Sequence, residues 1–165
     1  MKTITKIQFV LFMGLTLSLT SCSDDDSSGG GTPSGEYVKA KVDGQNFRSS
    51  TSFDATAASH PNASTLMVQG SDNNGKVIQL MIMNFNGEGT YNVTDMTNGF
   101  AQYGMATTQT FYSSAAGGGA MGEVEITLVD DEKVEGTFHF DGRRVQEGST
   151  EMVEVTDGSF RANFQ

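Results

Sequence analysis

Apolar and polar residues alternate along most of the chain after residue 35, and Gly, Asn and Asp break the alternation at short intervals. No long stretch carries apolar residues at i, i+3, i+4 and i+7. A period of two with turn residues between predicts antiparallel hairpins rather than helices. Val38, Ala40 and Val42 share one face of a short strand, which Asp43-Gly44-Gln45-Asn46 turns. A two-residue loop at Gly44-Gln45 sets Phe47 opposite Val42. Strands over 64–70 and 77–85 flank Ser71-Asp72-Asn73-Asn74-Gly75. The second, VIQLMIMNF, is apolar on both faces, with Val77, Met81, Met83 and Phe85 on one and Ile78, Leu80 and Ile82 on the other. Such a strand is expected to be buried on both sides. Gly87-Glu88-Gly89 leads into a strand over 90–93, residues 100–113 hold one or two strands, and 114–119 form a Gly/Ala loop.

The C-terminal third alternates most regularly. Gly122, Val124, Ile126 and Leu128 face one way on a first strand, and Val134, Gly136, Phe138 and Phe140 on a second, with the turn at 130–133. Asp157-Gly158 reads as a two-residue type I′ turn, because both residues tolerate φ > 0. That turn pairs Val155 with Phe160 and Glu154 with Arg161, and puts Val153, Val155, Phe160, Ala162 and Phe164 on one face. The whole is expected to be all-β: a single antiparallel β-sandwich or small β-barrel of about eight to ten strands.

The first 35 residues follow a different pattern. Lys2 and Lys6 precede an apolar run from Ile7 to Leu19, which has the length of a signal-peptide core, whereas a spanning helix needs roughly 20 residues. Cys22 is the only cysteine, so an intramolecular disulfide is impossible. A catalytic thiol is normally held by a folded scaffold, and this one lies between the apolar run and a Ser/Gly/Asp tract. The order Leu19-Thr20-Ser21-Cys22 resembles a bacterial lipobox. The resemblance implies cleavage between Ser21 and Cys22, a diacylglyceryl group on the thiol and acylation of the new amine. Two or three acyl chains, at ~0.8 kcal/mol per buried methylene, make a lasting anchor where one chain would not. Ser23-Asp24-Asp25-Asp26 resembles the acidic export signal that follows the lipidated cysteine in Bacteroidetes-type lipoproteins, which implies the outer membrane and surface exposure. Residues 27–35, SSGGGTPSG, have nothing to bury and read as a flexible tether. The expected organisation is therefore a signal peptide (1–21), a lipidated cysteine with its tether (22–35) and one all-β domain (36–165).

Composition narrows the partners. The formal charge is −10, and removal of Lys2 and Lys6 with the leader, which contains no acid, makes it −12. Such a domain is a poor nucleic-acid binder. The expected partners are the membrane, through the lipid anchor, and an envelope protein, a glycan or a lipophilic small molecule.

Four segments together resemble a family of Bacteroidetes-type lipoprotein domains of unknown function: Val42-Asp43-Gly44-Gln45-Asn46-Phe47; Gly87-Glu88-Gly89-Thr90-Tyr91; the pair 122–127 and 136–140; and Val155-Thr156-Asp157-Gly158-Ser159-Phe160. The resemblance implies fold and location. It brings no activity and no functional residues.

Chemistry-bearing patterns are sparse. The stretch 117–122 matches G-x-G-x-x-G, but it opens a strand where a dinucleotide loop must open a helix. His60 lies in a loop and His139 on a polar strand face, and no serine sits in a nucleophile-elbow sequence. No catalysis and no cofactor are expected. A metal set is conceivable at His139, with Glu123 or Glu125 across the hairpin and Asp141 two residues along; a solvated His–carboxylate pair is the simpler reading. Asp72-Asn73-Asn74-Gly75 lacks the spacing and final glutamate of a calcium loop. There is no tryptophan to stack on a sugar, which leaves Tyr37, Tyr91, Tyr103 and Tyr112. Met67, Met81, Met83 and Met105 are a candidate ligand pocket, with ordinary core or a dimer face as the alternatives. Three functions follow: a lipid-anchored, non-catalytic binding or accessory module, a carrier of a lipophilic ligand in a barrel cavity, or a metal-dependent hydrolase.

Overall fold

A computed structural model describes residues 35–51, 56–59, 64–117 and 121–165. Within them the chain is all strand and turn. The strands are β1 (Tyr37–Val42), β2 (Gln45–Arg48), β3 (Thr56–Ala58), β4 (Thr65–Ser71), β5 (Lys76–Met83), β6 (Gly89–Asn92), β7 (Thr94–Asp95), β8 (Gly99–Met105), β9 (Thr110–Ser113), β10 (Gly122–Val129), β11 (Lys133–Arg144) and β12 (Met152–Asn163). Ten have four residues or more; β3 and β7 are short additions.

They form one antiparallel sheet in the order β2-β1-β12-β11-β9-β8-β5-β4-β3, with β10 on β11, β6 on β10 and β7 on β8. The sheet curls into a half-barrel. Its β3 edge meets the end of β12, where Ala58 bridges Phe164 and the Gln165 N–H donates to the Ala58 carbonyl at 3.0 Å. A second seam is the Ser50 N–H donating to the Ser71 carbonyl at 2.8 Å. Curling hides the concave face, where Val38, Leu66, Val68, Ile78, Leu80 and Ile82 pack against Val124, Ile126, Val134, Phe140 and Phe160. Each such side chain contributes about 1.5–3 kcal/mol relative to exposure.

The expected β10–β11 hairpin is present, with Val129 opposite Val134 and the turn at 130–132. Asp130 holds that turn, its Oδ1 accepting the N–H groups of Glu132 (2.8 Å) and Lys133 (2.9 Å). The β4–β5 hairpin likewise turns at 72–75. There Asp72 Oδ1 accepts from the Asn74 and Lys76 N–H groups, both at 2.8 Å. Residues 100–113 divide into β8 and β9.

Three expectations are corrected. Asp157-Gly158 is not a hairpin turn: β12 runs straight through it and carries a bulge there. Lys39 and Lys41 of β1 pair with Ser159 and Thr156, and Phe138 and Phe140 of β11 pair with Gly158 and Val155. Three steps on β12 face two on each neighbour, so one residue is extra. Asp157 takes φ 52°, and a Cβ on Gly158 would lie 2.4 Å from the Phe138 carbonyl oxygen. A bulge of one residue and a turn of two both exchange strand parity, so Val153, Val155, Phe160 and Ala162 face the core in either arrangement. The expected Glu154–Arg161 pair is therefore absent; Arg161 Nε lies 3.5 Å from Glu135 Oε1, and Lys133 Nζ lies 2.6 Å from the same oxygen.

The first hairpin turns one residue earlier than expected. Asp43-Gly44 is the loop, Val42 pairs with Gln45, and Phe47 pairs with Ala40. A type I′ turn needs positive φ at both residues, and Asp43 (47°) and Gly44 (76°) supply it.

Last, β5 is buried on one face only. Ile78, Leu80 and Ile82 are fully buried, whereas Val77, Met81 and Met83 are half-buried on the convex side. Curling gives the sheet a single inner surface, and the second apolar face of β5 lies outside it. Phe85, expected on that second face, lies beyond the end of β5 and is buried.

Candidate functional site

On the inner side a cleft of about 340 Å³ opens where the β1–β2 turn, the β8–β9 loop and the first residues of β5 and β12 meet. Its apolar wall is built from Val42, Phe47, Tyr103 and Val153, all buried, with Met105 and Met152 beside them. Asp43, Gln45 and Asn46 come from the first hairpin, Thr108 and Thr110 from the β8–β9 hairpin, and Lys76 from the start of β5.

Register explains the gathering. Lys76 pairs with Met105 and Ile78 with Tyr103, so Lys76 and Tyr103 are diagonal neighbours on the inner face. Diagonal positions lie within reach of long side chains. Tyr103 also pairs with Tyr112 of β9, and their rings stack with centroids 6.4 Å apart.

The polar groups differ in how they are engaged. Tyr112 donates its hydroxyl to Glu151 at 3.3 Å. Asp43 Oδ1 accepts the Glu154 N–H at 2.9 Å, and the second Asp43 oxygen has no partner among the described residues. Tyr103 is 9% exposed, and its hydroxyl, which reaches solvent, makes no hydrogen bond among the described residues. The Lys76 ammonium makes no ion pair there either. Burial pushes the Tyr103 phenol above its ordinary 10.0, with Asp72 and Asp43 adding to the rise. Burial also raises Tyr112, followed by the Glu151 charge. Both phenols therefore stay protonated as donors at neutral pH.

The structure separates the four methionines. Met67 and Met81 face one another across β4 and β5, with Met83 two residues along, all on the convex side. There Gln79 Nε2 donates to Met67 Sδ at 3.2 Å, and the Thr65 hydroxyl to Met83 Sδ at 3.7 Å. Met105 projects to the other side and lines the cleft. A single pocket made by all four is ruled out by parity: 67, 81 and 83 share the outer face, and 105 pairs with the inward Lys76.

His139 is exposed on the outer face of β11, directly opposite Glu123. Asp141 lies two residues along, and Glu125 faces Thr137, whose hydroxyl donates to it at 3.4 Å. His139, Glu123, Asp141 and Glu154 border an outer depression of about 350 Å³. Among the described residues no three His, Cys, Asp or Glu side chains converge as a metal-binding group. Strand pairing spreads these side chains along a convex surface instead of pointing them at one centre. Ser21, Cys22, Ser23, Asp24, Asp25, Asp26 and His60 lie outside the described residues.

Of the cleft residues, only Met105 was a sequence candidate for a pocket. Lys76 and Asp43 carried no local signal: Lys76 follows a turn and reaches Tyr103 only through the β5–β8 register, and Asp43 lies in a turn that joins them only in the folded sheet. Tyr103 and Tyr112 stood among four equivalent tyrosines, and their pairing depends on the β8–β9 register.

No curated protein and no solved structure matches the chain. One family does, over residues 35–162, nearly the whole of the half-barrel. The chain belongs to that family, the domain of unknown function DUF6252.

Proposed function

We propose that this chain is a lipid-anchored outer-membrane binding module, held by acylated Cys22, which exerts no catalysis of its own and captures a small ligand in the cleft beside Tyr103. The order Leu19 to Cys22, the acidic run Ser23 to Asp26 and the tether that follows support the anchor and the surface location. The observation that carries the binding reading is the cleft itself: apolar wall, converging polar groups, and a largely buried tyrosine ring whose solvent-accessible hydroxyl has no protein partner among the described residues. Its size falls in the roughly 300–1,000 Å³ range of small-molecule sites. The resemblance of four segments to Bacteroidetes-type lipoprotein domains fits the anchor and the location, and brings no ligand.

Two measurements test it. Palmitate labelling in the native host should mark the wild type and not Cys22→Ser, with globomycin blocking maturation; an unlabelled wild type removes the anchor. Native mass spectrometry of protein drawn from its own membranes should show a bound small molecule. A second reading, a carrier of a lipophilic ligand, is favoured by the Val42, Phe47, Met105 and Val153 wall. An acyl or polycyclic mass in the same spectrum would support that reading.

A further inference from the structure

We infer that the cleft between the β1–β2 and β8–β9 hairpins binds a neutral saccharide, its ring laid on the apolar wall and its hydroxyls shared between the Lys76 ammonium, the Tyr103 hydroxyl and the Asp43 carboxylate. The inference rests on the binding-module reading and names its ligand class.

Three ligand classes fit a cleft of this size, and the unengaged groups separate them. A wholly apolar ligand would cover the Tyr103 hydroxyl and the Lys76 ammonium without replacing their water. Each buried, unsatisfied group costs about 1–3 kcal/mol, more when charged. An anionic ligand would satisfy Lys76 but would approach Asp43 and Asp72, whose charges already oppose ionisation of Tyr103. A cation would meet Lys76. A sugar hydroxyl both donates and accepts, so neighbouring hydroxyls can accept from Lys76 and Tyr103 and donate to the free oxygen of Asp43.

The remaining surface suits the same class. A saccharide ring has an apolar C–H face as well as a polar edge. The half-buried Tyr112 ring, stacked on the largely buried Tyr103, offers aromatic surface, with Val42 and Phe47 next to it. Exposed Gln45 and Asn46 on β2, and Thr108 and Thr110 on the facing loop, add further donors and acceptors at the edge. Tyrosines thus fill the role that the absence of tryptophan leaves open.

The test uses the full mature chain, isotope-labelled, with a panel of neutral saccharides (galactose, glucose, mannose, N-acetylglucosamine, lactose, maltose) followed by saturation-transfer and amide-shift NMR. N-Phenyl-1-naphthylamine serves as the apolar comparison and its sulfonated relative, 8-anilinonaphthalene-1-sulfonate, as the anionic one. At least one saccharide should receive saturation and shift amides in 42–47, 103–112 and 152–153. Tyr103→Phe, which keeps the ring, and Lys76→Met should each raise that Kd about tenfold, the loss of one hydrogen bond. Their thermal unfolding should stay close to wild type, which separates lost recognition from lost fold. Binding of either naphthalene probe with no saccharide response would overturn the saccharide class and leave the cleft a ligand site. No response to any probe, with no co-purified ligand in the native spectrum, would overturn both. Saccharide binding that ignores both substitutions, or that shifts other amides, would overturn the site.

Discussion

Single residues carry more of this fold than their size suggests. Gly158 sits where β12 bends over Phe138, and an added Cβ would press on both the Phe138 carbonyl (2.4 Å) and its ring (2.6 Å). Gly158→Ala is expected to destabilise by about 1–3 kcal/mol through overpacking, seen as a lower urea midpoint at unchanged m. Ser49 is a buried connector: its hydroxyl oxygen accepts the Val38 N–H at 2.9 Å and lies 2.6 Å from Thr56 Oγ1. Ser49→Ala leaves that N–H unsatisfied and should cost about 1–3 kcal/mol, with faster hydrogen exchange at Val38 as its signature. Asp95 accepts the N–H groups of Asn98 (2.8 Å) and Thr97 (2.7 Å) and the Asn98 side-chain amide (2.8 Å). Those bonds, the Asn98 backbone first, hold its carboxyl below the ordinary 3.8. A folded pKa below the unfolded one means the contribution is present above that value and disappears as pH falls through the folded one. Asp95→Asn should flatten the stability–pH curve below pH 3.8 and leave it parallel to wild type above. An unchanged acid limb would count against the assignment.

At the scale of elements, the bulge in β12 decides which side chains reach the core. Residues 153 and 155 before it and 160 and 162 after it all point inward because one residue is extra. Deleting Asp157 restores strict alternation and turns one half of β12 outward, exposing either Val153 and Val155 or Phe160 and Ala162. Loss of a cooperative thermal transition is the expected result; a wild-type melt would mean that the extra residue is dispensable. The bend is packed by aromatic rings, Phe138 lying 6.5 Å from Phe140 and 6.3 Å from Phe160 between centroids. Much of this is legible in the sequence. The inward sets of β1, β10, β11 and β12 follow directly from alternation, because a half-buried strand must segregate its faces. Turn position was less legible: Asp-Gly occurs three times, at 43–44 as a hairpin loop, at 157–158 as a bulge, and at 141–142 inside β11 with no positive φ. The hairpin takes positive φ at both Asp43 and Gly44 and the bulge only at Asp157, but the dipeptide permits either, so only the pairing with neighbouring strands distinguishes them.

For the whole molecule, closure of the half-barrel rests on two small seams, Ser50 against Ser71 and Ala58 against Phe164. Ala58 meets Phe164 through one bridge, and Gln165 donates a single hydrogen bond to Ala58. Removing residues 164–165 strips that seam and the half-buried Phe164 packed on the core. A loss of about 1–3 kcal/mol follows from the burial of one large apolar side chain. The expected consequence is a Tm lower by several degrees and faster exchange in β3. The cleft stands away from this seam, with its walls on β1, β2, β5, β8, β9 and β12. Saccharide response, if present in the full chain, should therefore survive the truncation, and its disappearance would show that closure shapes the cleft.

Alternation, turn residues and the absence of helical periodicity were enough to determine an all-β domain, most of its strands and nearly every inward-facing residue. These are properties of a strand and its own two faces, and they are written locally. Strand order, the curl of the sheet and the position of the cleft are of another kind. Lys76 and Tyr103 become neighbours because β5 pairs with β8, Asp43 joins them because the sheet's curl brings the first hairpin to the same cleft, and Met105 parts from Met67, Met81 and Met83 because pairing assigns them to opposite faces. Only the tertiary structure decided these, since contacts between residues distant along the chain are set by the sum of many weak pairings rather than by any one segment.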